Sequence, residues 1–119
     1  MSLLFLEYSK CSTCRKAKTF LTENNIDFIS RDLITETPSA VELEYWIEMS
    51  GLPLKKFFNT SGNLYKSMEL SKKLKYMTEW DQYDLLASDG MLIKRPLLID
   101  YDFVLVGFNE EKWREKLEL

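Results

Sequence analysis

The chain has 119 residues with a formal net charge of −3, 45% hydrophobic and 29% charged, the make-up of one globular domain that builds a core without disulfide or metal staples. Its 7 Phe, 6 Tyr and 3 Trp argue against disorder, and its weakly acidic balance lacks the basic stripe of a nucleic-acid binder. It contains no histidine and only two cysteines, which excludes Cys–His and Ser–His hydrolase chemistry, His-ligated metal sites and a structural zinc site within one chain.

No apolar run approaches the roughly 20 residues that cross a bilayer. The opening Met1 to Leu6 is apolar but short, and Glu7 interrupts it without a basic segment before it. A signal peptide is not expected, and the expected compartment is the cytoplasm, where thiols stay reduced.

Leu3 to Tyr8 reads as a buried strand. After the polar stretch Ser9 to Thr13, Cys14, Ala17 and Leu21 form the inward stripe of a helix that ends near Asn24. Ile26 to Asp32 reads as a second strand with Ile26, Phe28 and Ile29 inward. Thr37-Pro38 predicts an N-cap and first helical residue. Ala40, Leu43 and Ile47 carry that helix to a stop at Gly51 and Pro53.

The stretch from Leu54 to Met77 is less legible. Asn59-Thr60-Ser61-Gly62 is a turn cluster, and a short helix is expected over Leu64 to Leu70. Thr78 with Asp81 resembles a capping box. Trp80, Tyr83 and Leu86 or Ala87 then form a helical face ending near Asp89-Gly90. Pro96 opens the apolar run Leu97-Leu98-Ile99, and Asp100 to Asp102 turns into a partner strand over Val104 to Phe108, predicting an antiparallel hairpin. Asn109 caps a last helix, with Glu110 and Glu111 in its first turn and Lys116 near its end. Trp113 and Leu117 face inward, and Trp46 and Trp80 are also expected in the core.

The order is β-α-β, then helices, then β-β-α. It is read as one domain over 1–119 with a helical insertion at about 38–92.

Cys11-Ser12-Thr13-Cys14 lies between the first strand and the first helix. The spacing lets the two sulfurs meet across one turn. The helix start offers free N–H groups and the positive end of the macrodipole, which favour a thiolate. Lys10, Arg15, Lys16 and Lys18 are expected to add positive charge there. All of this acts to lower the pKa of Cys11, and the thiolate is the nucleophile. Cys14 falls on the inner helix face. Cys11 would therefore attack an oxidised substrate and Cys14 resolve the adduct as an intramolecular disulfide. The residues alone leave two other readings open: inert structural cysteines, or half of a metal site shared between chains.

Arg95-Pro96 is the second feature. A proline opening a central strand late in this order is where thioredoxin-like folds place a cis proline, and Arg95 would present a fixed cation to a thiolate or an oxyanion. The plainer reading is a trans proline beside a solvated arginine. The hydroxyls and N–H groups of Thr60, Ser61 and Gly62 would hold an anion or a peptide if that loop faced the thiols, and would otherwise be a simple turn.

Taken together, Cys11-Ser12-Thr13-Cys14-Arg15-Lys16-Ala17, the Asn59 to Gly62 loop, Arg95-Pro96-Leu97-Leu98-Ile99-Asp100 and Val106-Gly107-Phe108-Asn109-Glu110 resemble the ArsC/Spx/YffB superfamily over nearly the whole chain. The resemblance implies an α/β, thioredoxin-like (glutaredoxin-like) fold: a mixed sheet flanked by helices, with an inserted helical segment. It implies a nucleophilic Cys11, an oxyanion-contacting Arg95 and a cis Pro96. It also implies no bound cofactor, with glutathione, thioredoxin or glutaredoxin as reductant. Substrates would be a protein disulfide, a small disulfide or an oxyanion.

The sequence departs from the glutaredoxin-linked arsenate reductases in two ways. It has the second cysteine, as Spx does, and it lacks the other two oxyanion-binding arginines, whose regions hold Thr60-Ser61-Gly62 and Gly107-Phe108. The alternative function under this resemblance is an Spx-like redox-sensing regulator that binds the RNA polymerase α subunit, without direct nucleic-acid contact.

Overall fold

The computed structural model describes residues 3–119. Four strands form one sheet: β1 (Leu3–Glu7), β2 (Phe28–Asp32), β3 (Leu97–Ile99) and β4 (Val104–Val106). Their spatial order is β2-β1-β3-β4. β1 runs parallel to β2 and antiparallel to β3, and β3 and β4 are antiparallel. This is the thioredoxin-like arrangement expected from the sequence. The crossover from β1 to β2 is α1 (Ser12–Glu23), as a parallel pair requires. Between β2 and β3 lie α2 (Ala40–Ser50), α3 (Asn63–Ser67), α4 (Leu70–Lys73) and α5 (Glu79–Ser88), with short 3-10 turns between them, and α6 (Glu110–Lys116) follows β4.

Strand residues alternate between faces, so the sheet divides the core in two. Leu3, Phe5 and Leu98 face α1 and α6, where they pack with Ala17, Leu21 and Trp113. Phe108 and Trp113 meet edge to face at 4.9 Å. The indole N–H of Trp113 donates to the Gly107 carbonyl at 3.1 Å, so the buried ring leaves no polar atom unpaired. Leu6, Leu97 and Ile99 face the opposite way, toward Leu43, Ile47, Tyr83 and Leu86 of α2 and α5.

Several expectations are corrected. Helix α2 is capped by Ser39, not Thr37. Ser39 Oγ accepts from the Glu42 N–H and Glu42 Oε1 accepts from the Ser39 N–H, both at 3.1 Å. The Thr37 hydroxyl instead donates to the Leu33 carbonyl at 2.7 Å. Ile29 is 60% exposed: neighbours on a strand point to opposite faces, and here Phe28, not Ile29, packs on the core. Trp80 is 45% exposed, its ring edge-on to the buried Tyr83. The helix expected over Leu64 to Leu70 is broken in two at Glu69, whose φ is +53°. Gly107, at φ +69°, stops β4 at Val106, short of Phe108.

The cap of α2 is tied back to the sheet. Arg31 on β2 grips Glu42 with two parallel bonds of 2.7 and 2.9 Å. The hydrogen bonds from Arg31 bring the Glu42 carboxyl down to about 2, against burial, with the Ser39 N–H helping. The folded value lies below the ordinary 4.5. The pair's contribution is therefore complete above that pH and is lost as pH falls toward 2. Both side chains are partly exposed, so the contribution discounted for solvent screening is about 1 kcal/mol. Glu42→Gln, which can keep the cap, is expected to lower the urea midpoint accordingly at pH 7 and to leave it unchanged near pH 2. An identical loss at both pH values would refute the assignment.

Candidate active site

The site forms where β1 ends and α1 begins. The chain turns through Tyr8 to Lys10, closed by a 2.9 Å bond from the Cys11 N–H to the Tyr8 carbonyl. Cys11 is the N-cap of α1, at φ −90° and ψ 119°, a place usually taken by Ser, Thr, Asp or Asn. Its sulfur does the capping, accepting from the Cys14 N–H at 3.4 Å. Cys11 is thus fixed at the positive end of the helix and half-buried, while Cys14, one turn on, is fully buried. Both are free thiols within hydrogen-bonding reach of each other.

Their environments drive the two thiols apart. Burial pushes Cys11 up, but the Cys14 N–H, the Cys14 thiol, the Thr13 N–H and the positive field of Arg95 outweigh it, leaving the thiol below its ordinary value. Burial pushes Cys14 up to about 12, reinforced by Cys11 and only partly opposed by the Tyr8 N–H and Arg95. The setting favours the thiolate at Cys11, while its neighbour Cys14 keeps its proton at neutral pH.

The cation whose field reaches the sulfurs is Arg95, not the expected group of four. Lys18 is turned away to the buried Glu7, at 3.0 Å. Arg15 and Lys16 line a separate depression beside Phe108 and Arg114, and Lys10 is exposed.

Arg95 precedes β3. The pairing of Leu6 with Leu97 sets this segment beside the end of β1, and the guanidinium lies over the Tyr8 ring at 5.4 Å. Its Nη1 donates to the carbonyls of Met91 and Ile93 at 3.3 and 3.4 Å. Its Nε is buried without a partner. The Arg95–Pro96 peptide bond is cis, as the resemblance implied.

The helical insertion closes the other side. The Lys94 N–H donates to the Phe57 carbonyl at 2.7 Å, and the Asn59 N–H to the Leu92 carbonyl at 2.8 Å. These bonds hold the Asn59 to Asn63 loop opposite Cys11. The resulting cleft, about 540 Å³, is lined by Cys11, Thr13, Ser61, Gly62, Lys94 and Arg95 among others. Of the residues singled out in the sequence, Cys11, Ser61, Gly62 and Arg95 meet here. Cys14 lies beneath Cys11. Thr60 lines an adjoining depression, and Pro96 is buried and does not line the cleft. Lys94 escaped the sequence reading. Its only signal there was its place beside Arg95; in the structure its side chain runs past Gly107, whose missing Cβ would sit 3.3 Å from the Lys94 Cε.

The ArsC family model matches residues 6–116, nearly the full length of the chain. The chain belongs to the ArsC family. It is 51% identical to the protein YusI of Bacillus subtilis, over 97% of this chain and 98% of YusI. It is 31% identical to the regulatory protein MgsR of the same organism, over 90% of this chain and 83% of MgsR. Its fold matches the crystal structure of an ArsC family related protein from Bacteroides fragilis with a TM-score of 0.92 and 54% identity, over 97% of each chain. Among the described residues no helix is long and apolar enough to cross a membrane, and no group of His, Cys, Asp or Glu is placed to hold a metal ion.

Proposed function

We propose that this chain is a thiol–disulfide oxidoreductase of the ArsC kind, working in the cytoplasm and recycled by glutathione, thioredoxin or glutaredoxin. The observation that carries the reading is the asymmetry of the thiol pair: Cys11 is accessible with a lowered pKa, and Cys14 is buried beneath it with a pKa near 12. The Cys11 thiolate attacks a substrate disulfide. One S–S bond breaks, a mixed disulfide forms and one substrate thiolate leaves. Cys14 gives up its proton as it attacks Cys11 Sγ. The second substrate thiolate departs, leaving the Cys11–Cys14 disulfide for the external thiol to reduce. Arg95 steadies negative charge at the reacting sulfur, while Ser61 and Gly62 bound the substrate from the opposite wall. Thr60 flanks the adjoining depression, and Pro96 sets the backbone beneath Arg95.

Disulfides suit the cleft better than arsenate does. Each charged hydrogen bond lost with the family's two other arginines costs about 1.5–3 kcal/mol of oxyanion binding.

The experiment is a trap. Reduced protein treated with a small disulfide is expected to lose two hydrogens by intact mass. Cys14→Ser is expected to stop as a stable mixed disulfide on Cys11. Unchanged mass in the first case, or no adduct in the second, would defeat the assignment.

The likeness to MgsR favours one second reading, a redox-sensing regulator in which the same pair acts as a switch. Its partner, on the resemblance to Spx, would be the RNA polymerase α subunit. Capture of that subunit's C-terminal domain by only one redox state of this chain would support it, and no capture in either state would end it.

A further inference from the structure

The cleft at Cys11 does not end at Lys94. Lys94 also lines a second depression of about 510 Å³, together with Pro53, Lys55, Lys56, Phe58 and Thr60. Two cavities therefore share one lysine side chain, and neither is lined by a carboxylate. Among the described residues, Lys55, Lys56, Lys94 and Arg95 have no acidic side chain within ion-pairing distance. The three lysines are exposed. In a chain whose net charge is −3, four unpaired cations along one path are a local departure, and such a lining concentrates anions.

From this we infer that the substrate disulfide is presented within an acidic polypeptide segment, which enters along Lys55 and Lys56 and reaches Cys11 past Lys94. The inference rests on the oxidoreductase reading and deepens it by naming the substrate class. Size supports a chain over a small anion. A single cavity of this volume already accommodates a drug-sized ligand, so an oxyanion or a small disulfide uses only the first and leaves the second without a role. The second depression also has apolar walls in Pro53 and Phe58, suited to the stem of a side chain whose carboxylate reaches a lysine. The chemistry is the exchange already described: two electrons pass from the Cys11–Cys14 dithiol to the peptide disulfide, which leaves as two thiols.

Three short peptides test this. They carry the same internal disulfide, flanked by Glu and Asp, by Gln and Asn, or by Lys. Binding is read by fluorescence anisotropy on the Cys11→Ser/Cys14→Ser chain, so that no covalent chemistry contributes. The acidic peptide is expected to bind about tenfold tighter than the neutral one and the basic peptide most weakly, with the preference shrinking as salt rises. Lys55→Gln/Lys56→Gln, two exposed changes, is expected to remove most of that preference. Lys94→Gln, which alters both cavities at once, is expected to do the same. Equal binding of all three peptides would overturn the inference. So would a preference that survives Lys55→Gln/Lys56→Gln, which would place the anion in the first cavity alone. In a separate arm, failure of the unmutated chain to exchange with the uncharged hydroxyethyl disulfide would sink the oxidoreductase reading, while the binding result would still decide the charge preference.

Discussion

Cys11→Ser is expected to lower the rate of disulfide exchange at pH 7 by at least about a thousandfold. A serine hydroxyl keeps its proton at neutral pH unless a neighbouring base removes it. The chain contains no histidine to act as that base, and burial, the largest cause raising the Cys14 thiol, remains in the variant and keeps Cys14 from serving as one. The introduced hydroxyl would also cap α1 better than the sulfur does, so the variant should be no less stable than the parent and its inactivity cannot be blamed on unfolding. A pH–rate profile adds the cause. In the parent, the alkylation rate of Cys11 should rise through a midpoint below the ordinary thiol value. Arg95→Gln removes the cation from beside the sulfur and should move the midpoint upward, with the lost rate recovered at higher pH. A midpoint unchanged by Arg95→Gln would leave the helix N–H groups and the Cys14 thiol as the cause. A Cys11→Ser chain that still exchanges disulfides would place the nucleophile elsewhere.

Much of this arrangement was legible in the sequence because short-range chemistry governs it. The buried strand before Cys11, the stripe of Cys14, Ala17 and Leu21, and the Asn109 cap all follow local spacing, and the structure places them where the pattern said. Errors arose where a choice depended on what lay opposite. Thr37-Pro38 and Ser39 both have the chemistry of a cap, and the Glu42 partner three residues after Ser39 decides between them. Ile29 and Trp80 are apolar at positions that no other element covers, which periodicity cannot show.

At the site, the thiol pair was readable because it is contiguous. The electrostatics were not. Of the four cations close in sequence to Cys11, Lys18, Arg15 and Lys16 are placed elsewhere and Lys10 is exposed, while Arg95, far downstream in the chain, is brought in by the β1–β3 pairing. Lys94 was missed for the same reason, since its value lies in the two cavities that it joins.

Gly90 is the glycine with the least room for a side chain, and Gly90→Ala is expected to destabilise the chain by about 3 kcal/mol or more. A Cβ on Gly90 would lie 2.0 Å from the Leu33 carbonyl oxygen and 2.7 Å from its carbon. Those atoms are backbone, so no rotamer change relieves the overlap. The Leu33 N–H is also pinned to the Glu7 carbonyl at 2.9 Å, at the strand end that leads into Cys11. To admit a methyl group, either the turn at Gly90–Leu92 or the segment after β2 must move. The first movement would disturb the Asn59 to Leu92 bond that holds the cleft loop; the second would disturb the end of β1. Activity should therefore fall with stability in this variant, unlike Cys11→Ser, where stability is retained. Gly51→Ala makes the contrast. A Cβ there meets nothing within 4 Å, and the strain comes only from its φ of +68°, a cost of about 1 kcal/mol. Urea denaturation of the two variants side by side would separate the mechanisms. A Gly90→Ala midpoint equal to that of Gly51→Ala would show that the approach to Leu33 relaxes without penalty and that this contact does not fix the path of the chain into the site.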